Sequence, residues 1–156
     1  MFSTGDMAPE AQIELSDGRR CNVIDYRGKP LVIYFYPKDD TPGCTTEAKD
    51  FSVLAGEFAA ADVTILGVSR DTAASHAKFS KKHALVIALV SDSDGSLCEA
   101  FGVWVEKSMY GRSYMGIERA TYLIAGDGRI AQFWRKVKVK GHAESVLGAA
   151  KALVSQ

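Results

Sequence analysis

The sequence predicts an α/β fold: a central mixed sheet with helices on both faces and a β-hairpin at the N-terminus. Three observations predict it. Short runs rich in β-branched and aromatic residues alternate with stretches whose apolar residues recur at helical spacing. Two late runs are separated by Gly126-Asp127-Gly128, a hairpin turn signal. The 156 residues, 47% of them hydrophobic, suffice for one core rather than two, so 1–156 is expected to form a single domain.

In chain order, Gln12 to Leu15 and Cys21 to Ile24 make the expected hairpin. Leu31-Val32-Ile33-Tyr34-Phe35-Tyr36 is apolar or aromatic throughout, as in a strand buried on both faces near the sheet centre. Phe51, Leu54, Ala55 and Phe58 then form one stripe of a helix, and Val63 to Val68 is the next strand. Asp71-Thr72 caps a helix to about His83, Leu85 to Val90 reads as a strand, and Asp92 to Phe101 as a short helix ended by Gly102. Strands over Ala120 to Ile124 and Ile130 to Trp134 follow, then a helix with Ala143, Val146, Leu147, Ala150, Leu153 and Val154 facing inward. This order implies parallel central strands closed by an antiparallel pair, a thioredoxin-like plan.

Nineteen basic and nineteen acidic side chains cancel, which disfavours nucleic acid and anionic membranes as partners. No apolar run approaches the roughly 18 residues of a membrane span, and Met1 to Glu10 lacks a basic stretch followed by an apolar one, so a cytoplasmic protein is expected. Three cysteines, Cys21, Cys44 and Cys98, are widely spaced, and none forms a C-x-x-C pair. That count disfavours a disulfide framework or a thiolate zinc site.

The segment from Tyr36 to Glu47 joins the end of the central strand to a helix, where open α/β sheets place their ligands. Thr41 suits the N-cap and Pro42 the first helical position, so Cys44 falls in the opening turn. Unpaired backbone N–H groups and the helix dipole there favour thiolate over thiol. Cys44 is therefore a nucleophile candidate, weighed against a small buried packing residue.

Pro37-x-x-x-Thr41-x-x-Cys44 resembles the active-site signature of the peroxiredoxins. The wider run Phe35 to Thr45, with Gly67-Val68-Ser69-Arg70-Asp71, Phe101-Gly102-Val103-Trp104, Lys107 to Gly111 and Lys136-Val137-Lys138, is similar to the bacterioferritin-comigratory, or peroxiredoxin Q, subfamily. The likeness runs from about Gly5 to the last helix. It implies a thiol peroxidase in which Cys44 attacks hydrogen peroxide or an organic hydroperoxide and becomes a sulfenic acid. It further implies that Thr41 hydrogen-bonds thiolate and peroxide, that Pro37 and Pro42 shape and shield the pocket, and that Arg119 supplies a cation. By sequence alone, Arg119 reads as a partner of Glu118 or of a helix end.

Members of that subfamily carry a resolving cysteine five residues after the peroxidatic one or in the following helix. Those positions here are Lys49 and Ser80. A one-cysteine cycle is the simpler reading, recycled by thioredoxin or by glutathione with a glutaredoxin. Cys98 and Cys21 read as packing residues, with an unconventional resolving role as the alternative. No cofactor is expected, because sulfur carries the two-electron chemistry, and the assembly expected is a monomer or weak homodimer. A thiol-disulfide oxidoreductase would want cysteine at position 47, which is Glu47; a non-catalytic peroxide sensor or chaperone differs from the enzyme by its lack of turnover.

His76, His83 and His142 show no metal-ligand spacing. Asp39-Asp40 reads as a solvated loop, and the basic run Arg135 to Lys140 as an edge strand guarded by its charges.

Overall fold

A computed structural model describes residues 2–156. The chain opens with a short antiparallel pair, β1 (Gln12–Glu14) and β2 (Arg20–Asn22). The strand expected over Cys21 to Ile24 stops at Asn22. There Asn22 Oδ1 accepts from Ile24 N and Asp25 Oδ2 accepts from Asn22 N, a reciprocal cap that starts a 3-10 turn over Val23–Tyr26.

The remaining elements are β3 (Leu31–Phe35), α1 (Pro42–Ala60), β4 (Thr64–Ser69), α2 (Ala73–His83), β5 (Ala88–Ser91), α3 (Ser96–Ala100), β6 (Trp104–Met109), β7 (Arg112–Ile117), β8 (Ala120–Ile124), β9 (Ile130–Trp134) and α4 (His142–Val154). The main sheet has the order β5-β4-β3-β8-β9, with β3, β4 and β5 parallel and β8 antiparallel to both its neighbours. The expected thioredoxin-like plan is present, with β3 at its centre.

Strand alternation divides the core into two layers. Val32, Tyr34 and Tyr36 face one layer with Phe51 and Phe58 of α1, Phe79 of α2 and Val146 of α4. Leu31, Ile33 and Phe35 face the other, with Ile13, Leu97 of α3, Phe101 and Tyr122. Burial of each such side chain contributes about 1.5–3 kcal/mol. The first layer docks α1 on the sheet through Tyr34 and Phe51, stacked at 4.6 Å between centroids. Gly67 makes room for this stack, since a Cβ there would lie 2.7 Å from Tyr34 Oη.

Three further local expectations are corrected. The strand expected from Leu85 starts at Ala88, because α2 ends in a left-handed Ala84 and Leu85 N bonds back to Ser80 O. The basic run Arg135 to Lys140 forms no strand: β9 stops at Trp134, Lys136 has φ 49°, and Val137 N bonds to Arg119 O. At the end of α4, Val154 is exposed rather than inward-facing. Trp104 to Ile117 carries no predicted element. It forms the antiparallel pair β6–β7, turned by Tyr110 and Gly111 at φ 53° and 77°.

Among the described residues, no helix is long and apolar enough to cross a membrane.

Candidate active site

Cys44 sits in the first turn of α1, immediately beyond the centre of the sheet, and its residue is 1% exposed. Pro42 occupies the first turn as expected, and the helix ladder begins only with Thr45 N to Thr41 O at 2.8 Å. The N–H groups of Gly43 and Cys44 thus precede the ladder, at the positive end of the helix dipole. Thr41 is the N-cap residue with extended backbone, but its hydroxyl does not cap the helix; Oγ1 donates to Lys38 O at 2.9 Å.

Arg119, just after β7, reaches this turn from across the sheet. Its Nη2 donates to Cys44 Sγ at 3.3 Å and its Nη1 to Glu47 Oε1 at 2.6 Å. The reading of Arg119 as a partner of Glu118 is therefore corrected: Glu118 is paired with Arg135. Gly43 lets the guanidinium approach, because a Cβ there would stand 3.2 Å from Nη2. Glu47, which in sequence stands out only as the place of a missing cysteine, is 1% exposed, and its Oε2 has no hydrogen-bond partner. Burial raises the Glu47 carboxyl to about 7, against the opposing charge and hydrogen bond of Arg119. The spacing Cys44-x-x-Glu47 places both on one helical face, which is the signal that could have found it.

A family profile described as AhpC/TSA matches residues 4–133. The chain belongs to the AhpC/TSA family. It is 52% identical over 144 residues to Peroxiredoxin Bcp of Xanthomonas campestris pv. campestris, covering 92% of this chain and 90% of that protein. It is 48% identical over 147 residues to Peroxiredoxin Bcp of Bacillus subtilis, covering 94% of each. Among solved structures, a cysteine-to-serine variant of Xylella fastidiosa PrxQ superposes with a TM-score of 0.91 at 45% identity, covering 97% of each chain. The Xanthomonas campestris bacterioferritin comigratory protein, solved to study its alkyl peroxide reduction activity, superposes at 0.88 with 51% identity, covering 92% of each chain. This AhpC/TSA protein is accordingly a thiol peroxidase of the peroxiredoxin type, acting on a peroxide with a thiol reductant, as the motif resemblance implied.

Within the AhpC/TSA chain, Pro37 and Pro42 are both exposed, on the loop before Cys44 and at the helix start. Lys49 lies exposed on α1 and Ser80 half-buried on α2. Cys98 and Cys21 belong to the core layer on the opposite side of the sheet from Cys44. Cys98 is fully buried, and burial together with Asp92 pushes its thiol well above the ordinary range.

The loop also overturns one expectation. Asp40 is solvated, but Asp39 is buried, with its carboxylate accepting from Tyr36 Oη at 2.6 Å and Ser75 Oγ at 2.8 Å and lying 2.8 Å from His76 Nδ1. Tertiary packing supplied the donors that a run of two aspartates does not announce. Donor atoms of Asp39, Asp71 and His76 converge within 4.8 Å, but they are bonded to protein groups. His142 is likewise engaged, with Nε2 2.7 Å from Thr121 Oγ1; burial and then the charge of Arg119 lower its pKa to about 4. His83 Nε2 lies 2.8 Å from Asp40 Oδ1.

Proposed function

We propose that Cys44 is the peroxidatic cysteine and that the enzyme runs a one-cysteine cycle in which an external thiol reduces the Cys44 sulfenic acid. The observation that carries the second half is the sheet itself. Cys44 packs in one core layer, and Cys98 and Cys21 pack in or against the other, so hydrogen-bonded strands stand between the sulfurs. An internal disulfide would require Cys44 or its partner cysteine to leave its core layer, at the cost of that packing.

The reacting groups take the following roles. The Cys44 thiolate attacks the terminal peroxide oxygen; the S–O bond forms as the O–O bond breaks, and the leaving oxygen departs as water or alcohol after gaining a proton. Arg119, 3.3 Å from the sulfur, stabilises negative charge as it moves from sulfur onto oxygen. Glu47 holds the other arm of the guanidinium, which fixes its direction. Thr41 spends its proton on Lys38 O, so its oxygen is left as an acceptor for the peroxide O–H. Pro37 and Pro42 stiffen the segment on either side of Thr41 through their fixed φ.

Reduction follows by attack of a reductant thiol on the sulfenic sulfur, with loss of water and formation of a mixed disulfide. A second thiol then cleaves that disulfide and returns Cys44 to the cycle. Thioredoxin, or glutathione with a glutaredoxin, supplies these thiols in the cytoplasm, and a monomer or weak homodimer suffices because all the named groups come from one chain.

Intact mass measured after one equivalent of hydroperoxide tests the scheme. A gain of one oxygen on Cys44, with turnover restored by an added thiol system and abolished in Cys44→Ser, is the expected result. Loss of two hydrogens, meaning an internal disulfide, would overturn the one-cysteine cycle.

A further inference from the structure

The loop that carries Pro37 and Thr41 is anchored by a buried polar network that the reaction scheme leaves unused. His76 is fully buried on α2, and its Nε2 lies 2.8 Å from Val90 O. A carbonyl oxygen only accepts, so Nε2 carries a hydrogen. Its Nδ1 lies 2.8 Å from Asp39 Oδ2, where a lone pair would face a carboxylate. Both nitrogens therefore face acceptors, and His76 and the Asp39 carboxylate form a buried hydrogen-bonded pair. Burial opposes ionisation of Asp39, yet the hydrogen bonds of His76, Tyr36 and Ser75 hold its carboxyl below the usual range.

Asp39 also belongs to a peptide unit that is held on both sides. The N–H of the Lys38–Asp39 peptide donates to Asp71 Oδ2 at 2.9 Å, and Asp71 Oδ2 also accepts from Ser69 Oγ at 2.6 Å. The C=O of that same planar unit accepts the Thr41 hydroxyl at 2.9 Å. In a trans peptide the two groups point in opposite directions, so fixing one aims the other. Asp39 is thus held at its side chain by Tyr36, just after β3, and by α2, and at its backbone by the turn after β4. By contrast, the neighbouring pair of Lys82 with Asp40 is exposed and contributes little.

We propose that Asp39 and His76 are positioning residues: their buried pair fixes the Lys38–Asp39 peptide, whose carbonyl takes the Thr41 proton and leaves the Thr41 oxygen as an acceptor in the turn that carries Cys44. The proposal rests on Cys44 being the peroxidatic residue. It assigns to α2, which contributes no reacting group, the task of setting the geometry of peroxide capture.

The test compares His76→Ala, His76→Gln and His76→Asn. The asparagine amide stands in for Nδ1–H and can still donate to Asp39, whereas the glutamine amide stands in for Nε2–H. Three quantities are read in each protein: the single-turnover rate of Cys44 oxidation by hydrogen peroxide, as dimedone-trapped sulfenic acid; the rate of Cys44 alkylation by iodoacetamide; and the melting temperature. The Ala and Gln variants should lose at least about tenfold in oxidation rate, as sub-ångström misplacement of a capture group does, with alkylation unchanged, and Asn should recover most of the loss. Equal oxidation rates in wild type and His76→Gln overturn the proposal. So does a loss in all three variants that alkylation and melting follow in parallel, since that marks general loosening. If Cys44→Ser consumes peroxide as fast as wild type, the Cys44 assignment fails and takes this proposal with it.

Discussion

Arg119 and Cys44 are separated by 75 positions in the chain, and the fold sets the guanidinium Nη2 3.3 Å from the sulfur. The cation is held there by Glu47, whose oxygen at 2.6 Å takes the second arm of the fork. Two ligands on a planar donor set fix its orientation, which a point charge on a flexible stem does not achieve.

Arg119→Lys therefore retains the charge and loses the geometry. The second-order rate of Cys44 oxidation by hydroperoxide should fall by about 10²-fold, the size of losing one aimed donor in the transition state. Stopped-flow measurement with hydrogen peroxide checks this, and a change smaller than a few-fold would show that charge alone suffices.

Glu47 gives a pH signature. Burial holds its folded pKa at about 7, above the ordinary 4.5, so its contribution to stability is fully present below about 4.5 and is lost as pH rises through about 7. The loss amounts to about 3 kcal/mol. Glu47→Gln has no such titration, so the stability of wild type relative to this variant should fall across that window and level off above it. His142, lowered to about 4, acts in the opposite sense: its contribution is lost as pH falls from 6.5 through about 4. It is present in both proteins and largely cancels in the difference. Urea denaturation at several pH values measures the effect, and a constant difference between the two proteins would refute it.

Gly67→Ala tests the packing that docks α1. The added methyl would meet the Tyr34 ring at 2.7–2.9 Å, and the ring is stacked on Phe51 without room to retreat. Overpacking of this kind costs about 1–3 kcal/mol, read as a lowered denaturant midpoint with unchanged slope. A midpoint equal to wild type would mean that the Tyr34–Phe51 stack shifts freely.

The sequence by itself determined what depends on neighbours along the chain. The uninterrupted apolar run of β3 marked the sheet centre, and Thr41-Pro42 started a helix that put Cys44 in its first turn. The unbroken apolar run of β3 and the helical spacing in α1 are local facts, and the fold kept them. Tertiary structure alone decided whatever needs a partner from far away. It gave Arg119 to Cys44 and Glu47 instead of to Glu118, and it buried Asp39 by bringing up His76 from 37 positions later. It also put Cys98 on the far face of the sheet from Cys44. The physical reason is that a charged or polar side chain takes its environment from the donors and apolar surfaces that surround it, and these assemble only when distant segments pack together.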